Sequence, residues 1–191
     1  MLGTQQCIVE IHQQLKKVHF QTREGDMQEI IDHLKKIPIF KDIADDETKI
    51  SAIAEIMEKK TYRKGSYIFE EKEPGDELYI ITSGVVRVCK KTLQDEEYTI
   101  VDLRAENKVF FGEIALMDHD VRSASILVLE DCNVLVMERE KFERLGDLRP
   151  EIGLPVTRLI AKIICERLRN ANKDVILLFE ALVNEIQEAQ L

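Results

Sequence analysis

A chain of 191 residues has room for one domain with attached helices, or at most two small domains, and its 45% hydrophobic content suits a folded globular protein. With 36 acidic residues against 27 basic ones, the net charge of −9 argues against a broad nucleic-acid-binding face. No apolar run approaches the roughly 18–20 residues of a membrane span, and Met1 to Glu10 lack the basic start and apolar core of a signal peptide, so the cytoplasm is the expected compartment.

Ile8, Ile11, Leu15 and Val18 recur at steps of three and four, which predicts an amphipathic helix over Gln5 to Phe20. Thr22 to Gly25 breaks it. Asp26 is the predicted N-cap of a second helix whose inner face is Met27, Ile30, Ile31 and Leu34. Pro38 ends that helix or starts a turn, and Ile37, Ile39 and Phe40 are expected to dock on the elements that come after them in the chain. Asp45, Asp46 and Glu47 put negative charge at the start of a third helix, with Ile50, Ile53, Ala54 and Met57 facing inward.

From Lys60 the pattern changes to short runs rich in β-branched and aromatic residues, punctuated by Gly65, Gly75, Gly84 and Gly112. Strands are predicted at Tyr67–Phe69, Leu78–Ile81, Val85–Val88, Tyr98–Val101, Ile126–Leu129 and Val134–Met137. Pro74-Gly75 has the residues of a type II turn, Ser83-Gly84 reads as a turn between two strands, and Gln94 to Glu97 reads as a polar hairpin. Lys141 to Leu148 is a predicted short helix. Pro150 opens a longer one, whose first turns Gly153 and Pro155 are expected to disturb. Ile164, Leu168, Ala171, Val175, Leu178 and Leu182 then form a coiled-coil seam. Ile160, Ile163, Ile176, Phe179, Val183 and Ile186 form a second apolar face. Two apolar faces need two partners. One is expected to be the β domain and the other a second subunit; cover by the N-terminal helices is the alternative.

The chemistry concentrates between Phe110 and Ile126. Gly112 lets a ligand approach the backbone, and Glu113 follows it at once. Nine residues later stands Arg122, flanked by Ser123, Ala124 and Ser125. A carboxylate that accepts from a hydroxyl and a guanidinium that matches a phosphate thus bracket one short helical turn. Such a pair suits a small ligand with a sugar hydroxyl at one end and a phosphate at the other. Arg122 could instead pair with a protein carboxylate, Glu113 included. The four cysteines, Cys7, Cys89, Cys132 and Cys165, make no CxxC pair and are expected to be reduced. The histidines show no metal-ligand spacing, so no metal site and no cofactor are expected. No nucleophile–base pair is visible either, and an enzyme is not expected.

From about Ile37 to Asn172 the chain resembles the cyclic nucleotide-binding domain family. The resemblance rests on Pro38-Ile39-Phe40, Tyr62-x-x-Gly65, Pro74-Gly75-Asp76-x-Leu78-Tyr79-Ile80-Ile81 and Ser83-Gly84. The cassette Phe111-Gly112-Glu113-Ile114-Ala115-Leu116 and the later Arg122-Ser123-Ala124-Ser125 complete it. It implies an α+β fold: a double-stranded β-helix, or jelly-roll-like β-roll, with N-terminal helices and a long C-terminal helix. The corresponding division is an N-terminal helical extension over 1–36, the β-roll over 37–149, and a lid and dimerisation helix over 150–191. It further implies that Arg122 pairs with the phosphate of a 3′,5′-cyclic nucleotide and that Glu113 accepts the ribose 2′-hydroxyl. Backbone N–H groups around Ile114, Ala115 and Ala124 would add donors, as would the Ser123 hydroxyl. Val88, Ile100, Val101 and Leu103 would line the base end, and the long helix would cap it with Arg167, Asn170 and Asn172 nearby.

Two departures stand out. Leu103 to Phe110 is longer than the usual family turn and lacks its Gly, which predicts an irregular strand edge beside the pocket. Val121 stands where Pro is common. The implied function is a cyclic nucleotide sensor, cAMP before cGMP, with Ser123 and Ser125 compatible with both. It would form a homodimer through the C-terminal helix and signal to a protein effector. Direct DNA binding is not expected, because the sequence ends soon after the long helix and is acidic. The rival expectation is a protein-interaction module whose pocket takes no nucleotide.

Overall fold

Side chains on a β-strand alternate between its two faces, and that alternation lets one set of strands here serve two cores. In the computed structural model, residues 24–92, 94–118 and 120–188 are described; the expected helix over Gln5 to Phe20 lies outside them. Helix α1 (Glu24–Leu34) is followed by a 3-10 turn (Pro38–Phe40) and helix α2 (Glu47–Glu55). Six strands come next: β1 (Met57–Tyr62), β2 (Tyr67–Phe69), β3 (Glu77–Lys91), β4 (Glu97–Arg104), β5 (Phe110–Phe111) and β6 (Ser125–Glu138). Helices α3 (Arg139–Leu148) and α4 (Pro150–Glu188) close the chain.

All strand pairings are antiparallel, in the order β1-β6-β3-β4, with β2 added to β6 and β5 to β3. Leu78, Ile80, Phe110, Leu135 and Met137 face a core shared with Ile31, Leu34, Ile37, Phe40, Ile50, Phe142, Ile152 and Ile160. Their neighbours Tyr79, Ile81, Phe111, Val134 and Val136 face a second core inside the roll, with Val86, Ile126 and Val128. The helices on both sides therefore share one core with the sheet. The result is the expected α+β β-roll with helices before it and a long helix after it.

Several local expectations change. The described part of α1 begins at Glu24, so Asp26 lies inside the helix rather than capping it. Asp46 is the cap of α2: its carboxylate accepts from the Thr48 and Lys49 N–H groups, and its pKa is held down at about 2, first by the Thr48 hydroxyl and the Lys49 ammonium and then by the Lys49 N–H. Met57 has already left that helix and opens β1. Ser83-Gly84 is not a turn between two strands, because β3 runs through it and β6 runs beside it for most of its length. The register shifts around Ser83 and Val85 mark bulges, which bend both strands without ending them. Gly84 sits at φ +89, and a Cβ there would lie 2.4 Å from the Asp131 carbonyl oxygen. Gly153 does not disturb the last helix either. It lets α4 cross α3 closely, since a Cβ on it would lie 2.5 Å from the Gly146 Cα.

Helix α4 buries only its first part. Ile152, Val156 and Ile160 are in the core, and Ile163 and Ile164 pack partly against it. Beyond them Leu168, Val175, Ile176, Leu178, Phe179, Leu182 and Ile186 are all exposed, and no described residue covers either predicted face there. No helix among the described residues is long and apolar enough to cross a membrane.

Gly84 generates a direct prediction. Gly84→Ala should destabilise the fold by about 2–4 kcal/mol in urea denaturation, from a left-handed backbone and a backbone clash together; a Ser83→Ala control should change little.

Candidate functional site

Arg122 is placed by backbone pairing on both of its sides. Its N–H donates to the Glu73 carbonyl at 2.8 Å, and its own carbonyl accepts from the Lys72 N–H at 2.9 Å. Pro74 and Val121 form the adjoining bridge. Val121 uses its N–H to reach Asp120 Oδ1 at 2.7 Å, a bond that the family's usual Pro would not make. The guanidinium then runs inward until the residue is 6% exposed. Its Cζ lies 4.1 Å from the centre of the Phe69 ring and 5.6 Å from that of Tyr79. Tyr79 in turn stacks on Phe111, with centroids 5.2 Å apart and planes 6° from parallel.

Two glycines leave room for this group. A Cβ on Gly75 would lie 2.2 Å from Arg122 Nε, and one on Gly112 would lie 2.9 Å from its Nη1. Gly75 is thus required by space and not by a type II turn. Its φ is not positive, and the left-handed residue in this segment is Lys72 at φ 71. Arg122 Nη1 donates to the Glu77 carbonyl at 2.8 Å, and Nη2 stands 3.8 Å from the Glu77 carboxylate. Nε, also buried, has no hydrogen-bond partner among the described residues. Burial pushes the guanidinium pKa down while Tyr79, Glu77 and Asp76 oppose the shift, and arginine stays charged.

Glu113 opens a 3-10 turn (Glu113–Leu116), reached through Gly112 at φ 76. It is 2% exposed, an unusual state for a carboxylate. Its partner is not Arg122 but Arg167 of α4, whose Nη1 donates to Oε1. The Ala115 N–H, expected as a ligand donor, is engaged by the Gly112 carbonyl at 3.1 Å. Ser125 is likewise committed, because its buried hydroxyl accepts from the Glu71 N–H at 2.9 Å. The exposed Ser123 remains as the hydroxyl at the cavity wall.

These groups surround a cavity of about 430 Å³. Of the positions expected to meet a ligand, Gly112, Glu113, Ile114, Ala115, Arg122, Ser123 and Ala124 all line it, and so do Val88, Ile100, Val101 and Leu103. Strand alternation would send the consecutive Ile100 and Val101 to opposite faces. They line the same cavity because β4 carries an extra residue between the Val88–Val101 and Cys89–Thr99 pairs. The expected irregular edge is present as a 3-10 turn over Ala105–Asn107, ended by Lys108 in the left-handed region at φ 52. From α4, Arg167 reaches the cavity. Asn170 and Asn172 are exposed further along the helix and are not in its lining.

Phe69, Asn107, Lys108 and Asp120 also line the cavity without having been expected there. Glu77 was not singled out either, although it lies within the Pro74 to Ile81 stretch that carries part of the family resemblance. No local spacing signals its bond to an arginine 45 positions later. Cys89 and Cys132 are buried thiols, with pKa values pushed up by burial to about 11, and Cys165 is exposed; all three are unbridged.

Comparison with known proteins agrees with this geometry. The family model described as cyclic nucleotide-binding domain matches residues 59–147. The cyclic AMP receptor protein of Thermus thermophilus is 31% identical over 159 residues, which cover 83% of this chain and 70% of that protein. A cGMP-dependent protein kinase of Drosophila melanogaster (isozyme 2 forms cD5/T2) is 36% identical over 119 residues, or 61% of this chain and 12% of the kinase. The crystal structure of Thermus thermophilus catabolite activator protein matches with a TM-score of 0.64 at 30% identity, over 74% of this chain and 62% of that one. The chain belongs to the cyclic nucleotide-binding domain family. Its matches to cGMP-dependent kinases of flies and nematodes span between 11% and 16% of the length of those kinases.

Proposed function

We propose that the protein is a cyclic nucleotide sensor that holds cAMP between Glu113 and Arg122 and reports its presence through α4. The observation that carries this reading is the buried guanidinium at the cavity wall, with an Nε that no described residue satisfies. Burying a charge without full pairing is costly. A phosphate at this wall would supply the missing acceptor and the opposite charge. Glu113 would accept the ribose 2′-hydroxyl. The purine would lie against Val88, Ile100, Val101 and Leu103, with Ser123 left to serve the phosphate. We name cAMP before cGMP because the match to the cyclic AMP receptor protein covers 83% of this chain, against 61% for the fly cGMP-dependent kinase.

Arg167 supplies the coupling. It already holds the carboxylate that the ribose needs, and it is carried by α4. Ligand and helix therefore meet at Glu113, so that occupancy changes the energy of one α4 position relative to another. A ligand shifts such an equilibrium only through that difference. Beyond Arg167 the exposed seam Leu168, Val175, Leu178 and Leu182 provides a surface for a second copy of the chain, and through the dimer or an effector the change is passed on. The protein acts by binding and carries out no reaction.

At roughly a hundredfold excess over its Kd, cAMP should raise the melting temperature by about 5–10 °C, and Arg122→Ala should remove the shift. Absence of any shift with millimolar cAMP or cGMP would contradict the reading. For the dimer, sedimentation equilibrium at micromolar concentration should give twice the chain mass. The Leu168→Asp, Leu178→Asp double variant should give the chain mass itself, and a monomeric wild type would refute the dimer.

A further inference from the structure

Glu77 presents two different acceptors to Arg122. Its backbone carbonyl takes a hydrogen bond from Nη1 at 2.8 Å. Its carboxylate stops 3.8 Å from Nη2, beyond hydrogen-bond distance. A carboxylate beside a buried guanidinium would ordinarily close on it as a two-pronged pair. Here both oxygens are held by other donors. Lys60 Nζ donates to Oε1 at 3.0 Å, and the Tyr79 hydroxyl donates to Oε2. Neither Lys60, on β1, nor Glu77 nor Tyr79 lines the cavity.

The protonation behaviour agrees with this arrangement. Burial works to raise the Glu77 carboxyl pKa, but Tyr79, Lys60 and Arg122 together bring it below its ordinary value. Burial works to lower the Lys60 pKa, and Glu77 more than reverses it. Lys60 and Glu77 are thus a charged pair set behind the arginine. Glu77 is a built-in anion that competes with any anion arriving from the cavity, and its competition is limited while Lys60 shares its charge.

We propose that Lys60 is a positioning residue for ligand binding: it restrains and neutralises Glu77, and so leaves the Arg122 guanidinium to the ligand phosphate. The proposal rests on the cyclic nucleotide reading above. It separates Lys60 from a purely structural strand residue, because the effect of losing Lys60 should depend on the Glu77 charge.

Calorimetric titration of the full chain with cAMP tests it. Lys60→Met should raise Kd by about tenfold, in the range of couplings measured for close charged pairs. Glu77→Gln keeps an acceptor for Tyr79 and the backbone carbonyl for Arg122 but removes the competing charge, so it should bind more tightly than wild type. The double variant Lys60→Met, Glu77→Gln should return to within about threefold of Glu77→Gln, since no stray carboxylate remains to compete. Lys60→Arg should recover most of the affinity. Lys60→Met leaves the part-buried Glu77 carboxylate without its cation, so a modest fall in melting temperature is expected in the same samples, and the double variant should recover it. Wild-type affinity in Lys60→Met, or a double variant as weak as Lys60→Met, would overturn the proposal. A wild-type chain that binds neither cAMP nor cGMP would overturn the cyclic nucleotide reading itself, and this inference with it.

Discussion

Carrying a guanidinium into a protein interior removes most of the water that stabilises its charge, and the effective penalty is several kcal/mol unless other groups replace that water. Much of the local structure around Arg122 serves that replacement. Phe69 and Tyr79 face the cation with aromatic rings, and the Glu77 carbonyl takes one N–H. Gly75 and Gly112 withhold side chains from the space it occupies. The compensation is incomplete, because Nε remains without an acceptor among the described residues. This unfilled Nε is the physical basis on which we propose a phosphate-binding role for the site.

The roll is what allows so short a segment to be held so firmly. Its strands divide their side chains between two cores, so the cassette is anchored from both. Phe110 and Leu116 belong to the core under the helices, and Phe111 belongs to the core inside the roll. Arg122 is tied by its backbone to Lys72 and Glu73. The first part of α4 is fixed by Ile152, Val156 and Ile160, whereas its distal part extends with its apolar residues exposed. Glu113 links the rigid and the extended regions through Arg167.

The range of each interaction decides how far it can be read from the sequence. Short runs rich in β-branched and aromatic residues located most strands, and Glu113 and Arg122 stood out because they share one stretch. The continuity of β3 through Ser83-Gly84 was not legible. A glycine at positive φ looks the same in sequence whether it turns a hairpin or bulges a strand, and the close approach of the Asp131 carbonyl decides between them. The same limit applies to Gly75, read as a turn residue but required by the distant Arg122 side chain. Lys60 of β1 meets Glu77 of β3, and Arg167 of α4 meets Glu113, only once the fold brings these elements together. Of Arg167, Asn170 and Asn172, which the resemblance put near the base, only Arg167 lines the cavity; no sharp motif sets the register of the long helix.

In the function proposed above, ligand chemistry and helix coupling converge on Glu113, the carboxylate that Arg167 of α4 holds. The most direct measurement compares cAMP with 2′-deoxy-cAMP by calorimetry, because the two differ only in the hydroxyl assigned to Glu113. Saturable binding of cAMP is expected, with the deoxy compound weaker by about tenfold or more, as for a buried acceptor left unpaired. Equal affinity for the two would contradict the assignment of Glu113 to the sugar.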